Sequence, residues 1–351
     1  MIVKTNVKLN LGLSVLRKHA DGFHDIETLF VPCFDFGDTL EIIAGDDYSR
    51  TSAALFAEYG GQDGCVGKFC DQKENEVDLA QGISEDGKLM ITIARKEGVD
   101  WNPMKDLCAK AYNVLAQDFD LPPVKIFLEK NAPVGAGLGG GSADAAFTLK
   151  ALNELCGLGL SGQRLSEYAS RLGSDCAFFI FNRPMIGSGR GEVLEPYDID
   201  LSEYEIKVLI PEGVSVSTAE AYKGIVPRET RRDGSGEQAS TEPQERCDGS
   251  GEQASTGSPE RCDRFSEQPG NPVVSHHSPT GLGKPAETTG LKSVLAEPVS
   301  EWKDLLVNDF EATVFKAHPE LAAIKQSLYD SGATYASMSG SGSALFALYK
   351  K

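Results

Sequence analysis

The sequence predicts an α+β protein with two domains, and three observations carry that prediction. Apolar and polar side chains alternate over residues 7–14, which is the pattern of a strand with one buried face. Apolar residues recur at helical spacing on both sides of a glycine-rich stretch at 135–142, so helices and strands mix along the chain. With 351 residues, the chain is also longer than most single domains.

The composition predicts an ordinary soluble globular protein and argues against nucleic acid as a partner. Lysine and arginine are dispersed in a chain of formal net charge -18, whereas nucleic-acid binding needs a basic surface stripe. No apolar run is long enough to cross a bilayer, and the opening MIVKTNVKLNLGL lacks a basic region followed by an apolar block. We therefore expect a cytoplasmic protein without nucleic-acid or membrane partners, in which an anionic ligand meets local cations.

The cysteines do not indicate a metal site. All eight are scattered without a CxxC pair. The nearest two, Cys65 and Cys70, have no cysteine or histidine cluster beside them that would complete a zinc site. We expect reduced thiols that are mostly buried.

The first elements form a predicted β meander. In the strand at 7–14, Val7 and the leucines share one face, while Lys8 and Asn10 lie on the other. A turn at 18–22 leads into the apolar stretch FHDIETLFVP, and strand character resumes at 38–43.

The glycine-rich stretch lies between a predicted strand and a predicted helix. A helix at 107–115 precedes a strand at 124–130. Ser142 is the expected N-cap of the next helix, which ends at Gly157. Another helix follows directly at 161–172.

Two further regions complete the pattern. Residues 44–100 contain acidic stretches and a glycine-rich patch, and we expect short strands there. Near the C-terminus, a helix at 319–329 is followed by strands at 334–337 and 344–349, on either side of the sequence SGSGS.

Residues 228–295 differ in composition from the rest of the chain. Gly, Ser, Glu, Gln, Thr and Pro dominate, and the sequence DGSGEQAST occurs at 233–241 and again at 248–256. Such a segment has too few apolar residues to offset its ordering entropy, so we predict a disordered, recently duplicated insertion. A small binding element is the alternative.

The stretch GAGLGGGSADAA at 135–146 fits several phosphate-binding motifs. A dinucleotide fold needs a second strand after the helix and then an acidic residue that binds ribose, but Glu154 and Glu167 lie within two consecutive predicted helices. A Walker A loop needs a lysine where Gly141 stands. The triplet DFG at 35–37 precedes the glycine loop, which is the wrong order for a protein kinase.

An anion-binding loop of another type remains. Closely spaced glycines let backbone N–H groups approach a phosphate, and the positive end of the following helix points to the same place. A plain strand-to-helix turn needs only one or two glycines. The stretch therefore predicts a phosphate cradle.

Three segments resemble the conserved motifs of the GHMP kinases, which are named for galactokinase, homoserine kinase, mevalonate kinase and phosphomevalonate kinase. VKLNLGL at 7–13 resembles the first motif, PVGAGLGGGSADAA at 133–146 the second, and SMSGSGSALFAL at 337–348 the third. Their combination and order are more specific than any single glycine loop. Apart from residues 45–100 and 228–295, the resemblance covers the chain.

The resemblance implies the two-domain GHMP kinase fold. Its first domain is like domain 2 of ribosomal protein S5, and its second is a ferredoxin-like α/β sandwich. We expect the ATP-binding domain at 1–160 and the C-terminal domain at 161–351, with the insertion at 228–295 inside the second. The active site then lies between the two domains.

The resemblance also implies catalytic roles. Lys8 is expected beside the acceptor hydroxyl, where an ammonium group favours charge that develops on oxygen. Asp175, in the sequence LGSD, is the expected base that accepts the hydroxyl proton. Lys130, just before the glycine loop, either meets the nucleotide or is a strand-end lysine with an exposed ammonium group.

ATP and Mg²⁺ are the expected cofactors, because phosphoryl transfer needs positioning and charge neutralisation. Ser142 is the candidate to contact the ion or the β-phosphate, and Gly340 and Gly342 are expected to close the site near the phosphates. The residues expected to bind ATP are Pro133, Val134, Gly135, Ala136, Gly137, Leu138, Gly139, Gly140, Gly141 and Ser142.

Three other segments are similar to the family members that phosphorylate the 2-hydroxyl of a cytidine-diphosphate sugar alcohol, in the non-mevalonate route to isoprenoids. They are ADGFH at 20–24, RLGSDCAFF at 171–179 and VSTAEAY at 216–222. An aromatic pair, Phe23 and Tyr222, suits the two faces of a pyrimidine. The expected substrate-binding residues are Asn10, Phe23, His24, Thr218 and Tyr222.

Two positions depart from the family pattern, and two alternatives stay open. Phe23 stands where a tyrosine is common, and Asp106 replaces a common asparagine near the adenine site. The chain could be another small-molecule GHMP kinase, acting on homoserine or mevalonate, but ADGFH and the aromatic pair speak against this. It could also be a non-catalytic nucleotide-binding protein or sensor, which would need neither Lys8 nor Asp175.

Overall fold

The computed structural model describes residues 1–45, 66–70, 76–228 and 290–351. These described residues contain three sheets with helices packed on them, and they belong to one compact unit. The predicted α+β class is confirmed. Among them, no helix is both long and apolar enough to cross a bilayer.

The first sheet contains most of the strands that precede the glycine-rich stretch. In spatial order these are β1 (Ile2–Lys4), β4 (Thr39–Ala44), β8 (Val124–Lys130), β7 (Leu89–Arg95), β6 (Glu76–Ile83) and β5 (Val66–Cys70). β7 and β8 pair in parallel, and the other neighbours are antiparallel. The short strands expected within 44–100 are therefore present, although residues 46–65 and 71–75 lie outside the described part of the chain.

The second sheet is antiparallel and carries the first motif. It consists of β10 (Val193–Pro196), β9 (Met185–Ser188), β3 (His24–Cys33) and β2 (Val7–Lys18). Both faces of β2 are covered, because every residue from Val7 to Val15 is buried. Glycine-rich loops cover the second face, so Lys8 and Asn10 are only 3% and 1% exposed.

Helices α1 (Leu107–Ala116), α2 (Gly140–Leu155), α3 (Gly162–Ser170) and α4 (Cys176–Phe181) share one hydrophobic core with the first sheet. This core contains elements from both sides of residue 160, and the domain boundary there stays a prediction. Ser142 is not the N-cap of α2, because the helix already begins at Gly140 and Gly139 occupies the N-cap position.

The third sheet and the remaining helices come from the C-terminal half. The sheet is antiparallel and consists of β11 (Tyr204–Leu209), β13 (Leu345–Lys350) and β12 (Tyr335–Met338). The helices are α5 (Thr218–Tyr222), α6 (Leu291–Leu295), α7 (Trp302–Leu305), α8 (Glu311–Ala317) and α9 (Pro319–Asp330). Both predicted C-terminal strands and the predicted helix at 319–329 are confirmed to within one residue.

The predicted insertion at 228–295 is wrong at both ends. Leu291, Val294 and Leu295 are buried side chains of α6, and Arg228 pairs with the buried Asp309 at 3.0 Å. The residues before α6 are mostly polar, and the composition of the whole segment therefore hides the helical spacing of the apolar residues in LKSVL. The rest of the predicted insertion, residues 229–289, lies outside the described residues.

Candidate active site

A cavity of about 1080 Å³ is lined by all of the predicted catalytic, ATP-binding and substrate-binding residues and by Gly340, whereas Gly342 is not among its lining residues. It is bordered by the second and third motifs, by the segment at 20–24 and by the N-terminal end of α5. The structure therefore brings together the segments that carry the resemblance, although they are distant in sequence.

The glycine loop needs its glycines for both conformation and space. Gly135, Gly137 and Gly139 all have positive φ, between 74° and 76°, which side chains rarely adopt. A Cβ atom on Gly137 would lie 2.3 Å from the carbonyl oxygen of Ser339. Glycine thus allows the second and third motifs to touch. α2 begins at Gly140, so the positive end of its dipole faces the loop, as predicted.

The third motif is held in place by Asn308, which the sequence analysis missed. The buried Asn308 amide donates hydrogen bonds of 2.8 Å to the carbonyl oxygens of both Met338 and Gly340. The amide of Ala344 also donates to the carbonyl of Ala136 at 3.1 Å. No local pattern marks Asn308, because its partners come from a distant segment.

Lys8 joins the first motif to the glycine loop. Its ammonium donates to Oδ1 of Asn10 at 2.5 Å and to the carbonyl oxygen of Gly137 at 2.9 Å. Asn10 is itself fixed, because its Nδ2 donates to Oγ1 of Thr28 at 3.1 Å. These bonds hold the Lys8 ammonium beside the loop rather than in solvent.

Asp175, at the start of α4, lies close to the Lys8 ammonium. It is the N-cap residue of α4, yet its side chain makes no capping hydrogen bond. Instead Oδ2 lies 3.5 Å from Nζ of Lys8, and the carboxylate keeps 32% of its surface exposed. The structure therefore leaves one carboxylate open to the cavity and places a fixed cation beside it.

Lys130 meets two carboxylates below the glycine loop. Its side chain is 5% exposed, and Nζ contacts Asp38 and, at 2.6 Å, Oδ2 of Asp144. Burial by itself lowers the pKa of Lys130, but the charges of Asp144 and Asp38 outweigh this effect and raise the pKa above its usual value. The alternative in which Lys130 is a strand-end lysine with an exposed ammonium group is therefore wrong, because the ammonium group is buried.

The same carboxylate cluster anchors the start of the loop. Oδ1 of Asp38 accepts hydrogen bonds of 2.7 Å from the backbone amides of both Asn131 and Ala132. Thr5 donates from Oγ1 to Oδ1 of Asp144 at 3.2 Å. The cluster thus connects the ends of two strands to the first turn of α2.

At the end of the cavity that carries residues 21–24, the stacked ring pair differs from the expected one. The rings of His24 and Tyr222 lie parallel, with centroids 4.6 Å apart, whereas Phe23 is 56% exposed and lies beneath the guanidinium of Arg190. Burial, together with the charges of Lys18 and His19, lowers the pKa of His24. Enclosure of a pyrimidine by Phe23 and Tyr222 stays a prediction.

Thr218 begins α5 beside the third motif. Its hydroxyl lies 3.4 Å from that of Ser341. At the other end of the cavity, Trp101 donates from Nε1 to Oδ2 of Asp106 at 3.1 Å, and Oδ1 of Asp106 accepts from the Cys108 amide. Both carboxylate oxygens of Asp106 therefore accept hydrogen bonds within the protein.

The described residues contain no group of three or more His, Cys, Asp or Glu side chains that could hold a metal ion. Ser142, in the first turn of α2, contributes a hydroxyl at the loop. Cys33, Cys108, Cys156 and Cys176 are free thiols, and burial raises the pKa of Cys176 to about 12.

Comparison with known proteins agrees with this arrangement. The model of the GHMP kinases N terminal domain matches residues 106–183, and that of the GHMP kinases C terminal domain matches residues 291–351. The 4-diphosphocytidyl-2-C-methyl-D-erythritol kinase of Parabacteroides distasonis is 35% identical over 100% of this chain and 92% of its own. The same kinase of Azobacteroides pseudotrichonymphae is 36% identical, over 100% of this chain and 94% of its own.

Solved structures show the same fold. A crystal structure of 4-(cytidine 5'-diphospho)-2C-methyl-D-erythritol kinase has a TM-score of 0.60 and 23% identity, covering 99% of this chain and 90% of that one. Mevalonate kinase of Methanococcus jannaschii has a TM-score of 0.53 and 11% identity, covering 100% and 90%. These likenesses show the fold alone, because both identities are low.

Proposed function

This chain belongs to the 4-diphosphocytidyl-2-C-methyl-D-erythritol kinases of the GHMP kinase family, and from that membership we propose its reaction. It transfers the γ-phosphoryl group of ATP to the 2-hydroxyl of 4-diphosphocytidyl-2-C-methyl-D-erythritol. The products are the 2-phosphate and ADP, formed in the non-mevalonate synthesis of isoprenoids.

The observation that carries the mechanism is the position of Asp175 and Lys8 at the glycine loop. Oδ2 of Asp175 accepts the proton of the 2-hydroxyl while the oxygen attacks the γ-phosphorus. The bond between the γ-phosphorus and the bridging oxygen breaks, and ADP leaves with that oxygen. Lys8, 3.5 Å from Asp175 and bonded to the Gly137 carbonyl, keeps the carboxylate in place and stabilises charge on the attacking oxygen.

ATP fits the glycine loop because the loop offers backbone N–H donors to the phosphates. The residues from Val134 to Ser142 carry backbone N–H groups beside the positive end of α2, and such helix ends bind phosphates. Mg²⁺ uses few protein ligands when it is bound through nucleotide phosphates, which agrees with the absence of a three-residue acidic cluster in the described chain. In this proposal Ser142 Oγ would help to hold the ion, which would supply neutralisation of the phosphate charge.

The acceptor lies on the opposite side of Lys8 and Asp175. Asn10 orients Lys8, and Thr218 lies at the contact between α5 and the third motif. Tyr222 and Phe23 offer flat faces for the cytosine ring, while His24 offers a hydrogen bond to its edge. For this arrangement the His24 ring must leave the face of Tyr222, on which it is stacked in the structure.

Three expectations from the sequence remain part of the proposal. The ATP-binding domain spans 1–160 and the C-terminal domain 161–351. The protein acts in the cytoplasm and requires no nucleic acid. The non-catalytic alternative is disfavoured, because a protein that only binds a nucleotide has no need for an open carboxylate beside a buried lysine.

An ATP-consumption assay tests the proposed reaction. The purified full-length chain receives ATP, Mg²⁺ and one acceptor at a time: the cytidine substrate, mevalonate, homoserine or galactose. We expect turnover with the cytidine substrate alone. Turnover with a different acceptor would show that the proposed substrate is wrong. Nucleotide binding without turnover of any acceptor would favour the alternative of a non-catalytic nucleotide-binding protein or sensor. The same assay without Mg²⁺ tests whether turnover requires the ion.

A further inference from the structure

The cavity in the described part of the chain is lined by four lysine or arginine side chains: Lys8, Lys105, Lys130 and Arg190. Three of them are accounted for. Lys8 lies at the reacting groups, and Lys130 is buried between two carboxylates. Lys105 precedes Asp106 at the end expected to hold adenine. Arg190 is the remaining cation, and it lies at the acceptor end.

Arg190 is positioned by the segment that identifies the acceptor end. Its guanidinium carbon lies 4.1 Å from the centre of the Phe23 ring, and Nη2 donates to the exposed carboxylate of Asp21. The turn that carries Arg190 is bonded to strand β3, which follows Phe23. The Ile26 amide of that strand donates a hydrogen bond of 2.7 Å to the carbonyl oxygen of Gly189. The cation therefore lies beside Phe23 and Asp21.

We propose that Arg190 binds the diphosphate of the acceptor substrate and so selects a cytidine diphosphate compound over a plain nucleoside. This inference rests on the proposed function, which supplies a ligand with two phosphates next to its pyrimidine. A base lying against Phe23 places its 5′-diphosphate within reach of a guanidinium that already covers the same ring. Guanidinium groups bind phosphate oxygens in pairs, which gives both affinity and orientation.

Asp21 serves as the partner of Arg190 until the substrate arrives. Both side chains are partly exposed, at 51% for Asp21 and 41% for Arg190, so their pair is a weak one in water. A diphosphate carries more negative charge than one carboxylate and therefore competes well for the guanidinium. In a chain of net charge -18, such a local cation is needed to hold an anionic acceptor.

Calorimetric titration of the full-length protein tests this role. The ligands are cytidine 5′-diphosphate (CDP) and cytidine, added while a non-hydrolysable ATP analogue saturates the glycine loop. The variants are Arg190→Gln, Arg190→Lys and, as a matched control on an exposed position outside the cavity lining, Arg183→Gln. Melting temperatures of all variants exclude unfolding as the cause of weaker binding.

We expect Arg190→Gln to weaken CDP binding about tenfold or more, as for a lost charge-assisted hydrogen bond, and cytidine binding less than about twofold. Arg190→Lys should be intermediate, and Arg183→Gln should match the wild type. Unchanged CDP binding would overturn the proposal. Equal weakening of CDP and cytidine would also overturn it, since Arg190 would then act on the base or on Phe23.

Turnover separates this proposal from the proposed function. If Arg190 binds the diphosphate, Arg190→Gln raises the KM for the cytidine substrate and leaves kcat within about a factor of two. If wild-type protein does not phosphorylate that substrate, the proposed function fails. If the wild type is active and Arg190→Gln has an unchanged KM, the function stands and the role of Arg190 fails.

Discussion

The ammonium of Lys8 lies 3.5 Å from the carboxylate of Asp175, where strand β2 and the start of helix α4 meet below the glycine loop. Lys8 is held by Asn10 and by the Gly137 carbonyl, and Asp175 makes no capping bond that would tie it to α4. The lysine is thus immobile, while the carboxylate is open to the cavity. This difference suits a fixed electrostatic group beside a base that must receive a proton.

Replacement of Asp175 by asparagine should abolish the base without removing the nucleotide site. We expect kcat to fall about 10² to 10⁴-fold, the usual range for a lost general base, and ATP affinity to change little. Steady-state kinetics and ATP titration measure both quantities. The control is Asp198→Asn, at an exposed position outside the cavity lining, which should leave kcat unchanged. Wild-type turnover in Asp175→Asn would remove Asp175 from the mechanism.

Replacement of Lys130 by methionine should destabilise the protein. The substitution keeps much of the volume but leaves Asp38 and Asp144 buried without their cation. Breaking a buried pair in this way costs about 3–5 kcal/mol. Chemical denaturation gives the free energy of unfolding, and Lys110→Met on the exposed side of α1 is the control. A loss of less than about 1 kcal/mol would show that the cluster contributes little to stability.

Removal of the Tyr222 ring should weaken binding of the cytidine substrate. One lost stacking face costs about 1–3 kcal/mol, so Tyr222→Ala should raise its KM by about one to two powers of ten, with ATP affinity unchanged. Tyr222 also packs edge-on against Phe310 at 4.7 Å, so the melting temperature must be measured on the same protein. Tyr222→Phe and Phe23→Tyr keep their rings and should be nearly neutral. Equal weakening of both substrates with a large stability loss would make Tyr222 a core residue only.

Two deletions test whether residues 230–288 are needed for folding and whether helix α6 is needed. Removal of residues 230–288 with a short linker should leave melting temperature and activity nearly unchanged, because loop closure depends weakly on length. Extending the deletion to residue 295 also removes the buried Leu291, Val294 and Leu295, and should lower stability strongly. Differential scanning calorimetry compares the two proteins. A large loss in the shorter deletion would mean that residues 230–288 contribute to the fold.

The environment of His24 predicts a pH effect on stability. Its pKa is lowered in the folded protein by burial and by the charges of Lys18 and His19, whereas the unfolded chain takes up the proton near pH 6.5. Protonation therefore favours unfolding, and stability falls as the pH drops below about 6.5. Between pH 7 and pH 5 the melting temperature of the wild type should fall more than that of His24→Gln. The other four histidines are common to both proteins, so an identical fall would contradict the assignment.

Much of the local structure could be predicted from the sequence. Period-two alternation predicts strands, and helical spacing predicts helices, because both patterns report which side of an element is buried. The predicted strand at 124–130 and helix at 319–329 agree with the structure for this reason. The start of α2 at Gly140 instead of Ser142 shows the limit, because glycine caps a helix without any side-chain signal.

The sequence by itself determined the strands β2, β3, β4, β8, β12 and β13, the helices α1, α2, α3 and α9, the glycine loop and, through its resemblance, the two catalytic candidates; it did not indicate the strands β1 and β9 to β11 or the helices α4 to α8. Only the tertiary structure decided that Lys130 serves Asp38 and Asp144, that Asn308 fixes the third motif and that Arg190 covers Phe23. Local periodicity depends on neighbours a few residues away, whereas these contacts depend on the order of strands within the sheets and on the packing between layers. A buried charge is therefore matched to its partner only when distant segments pack together.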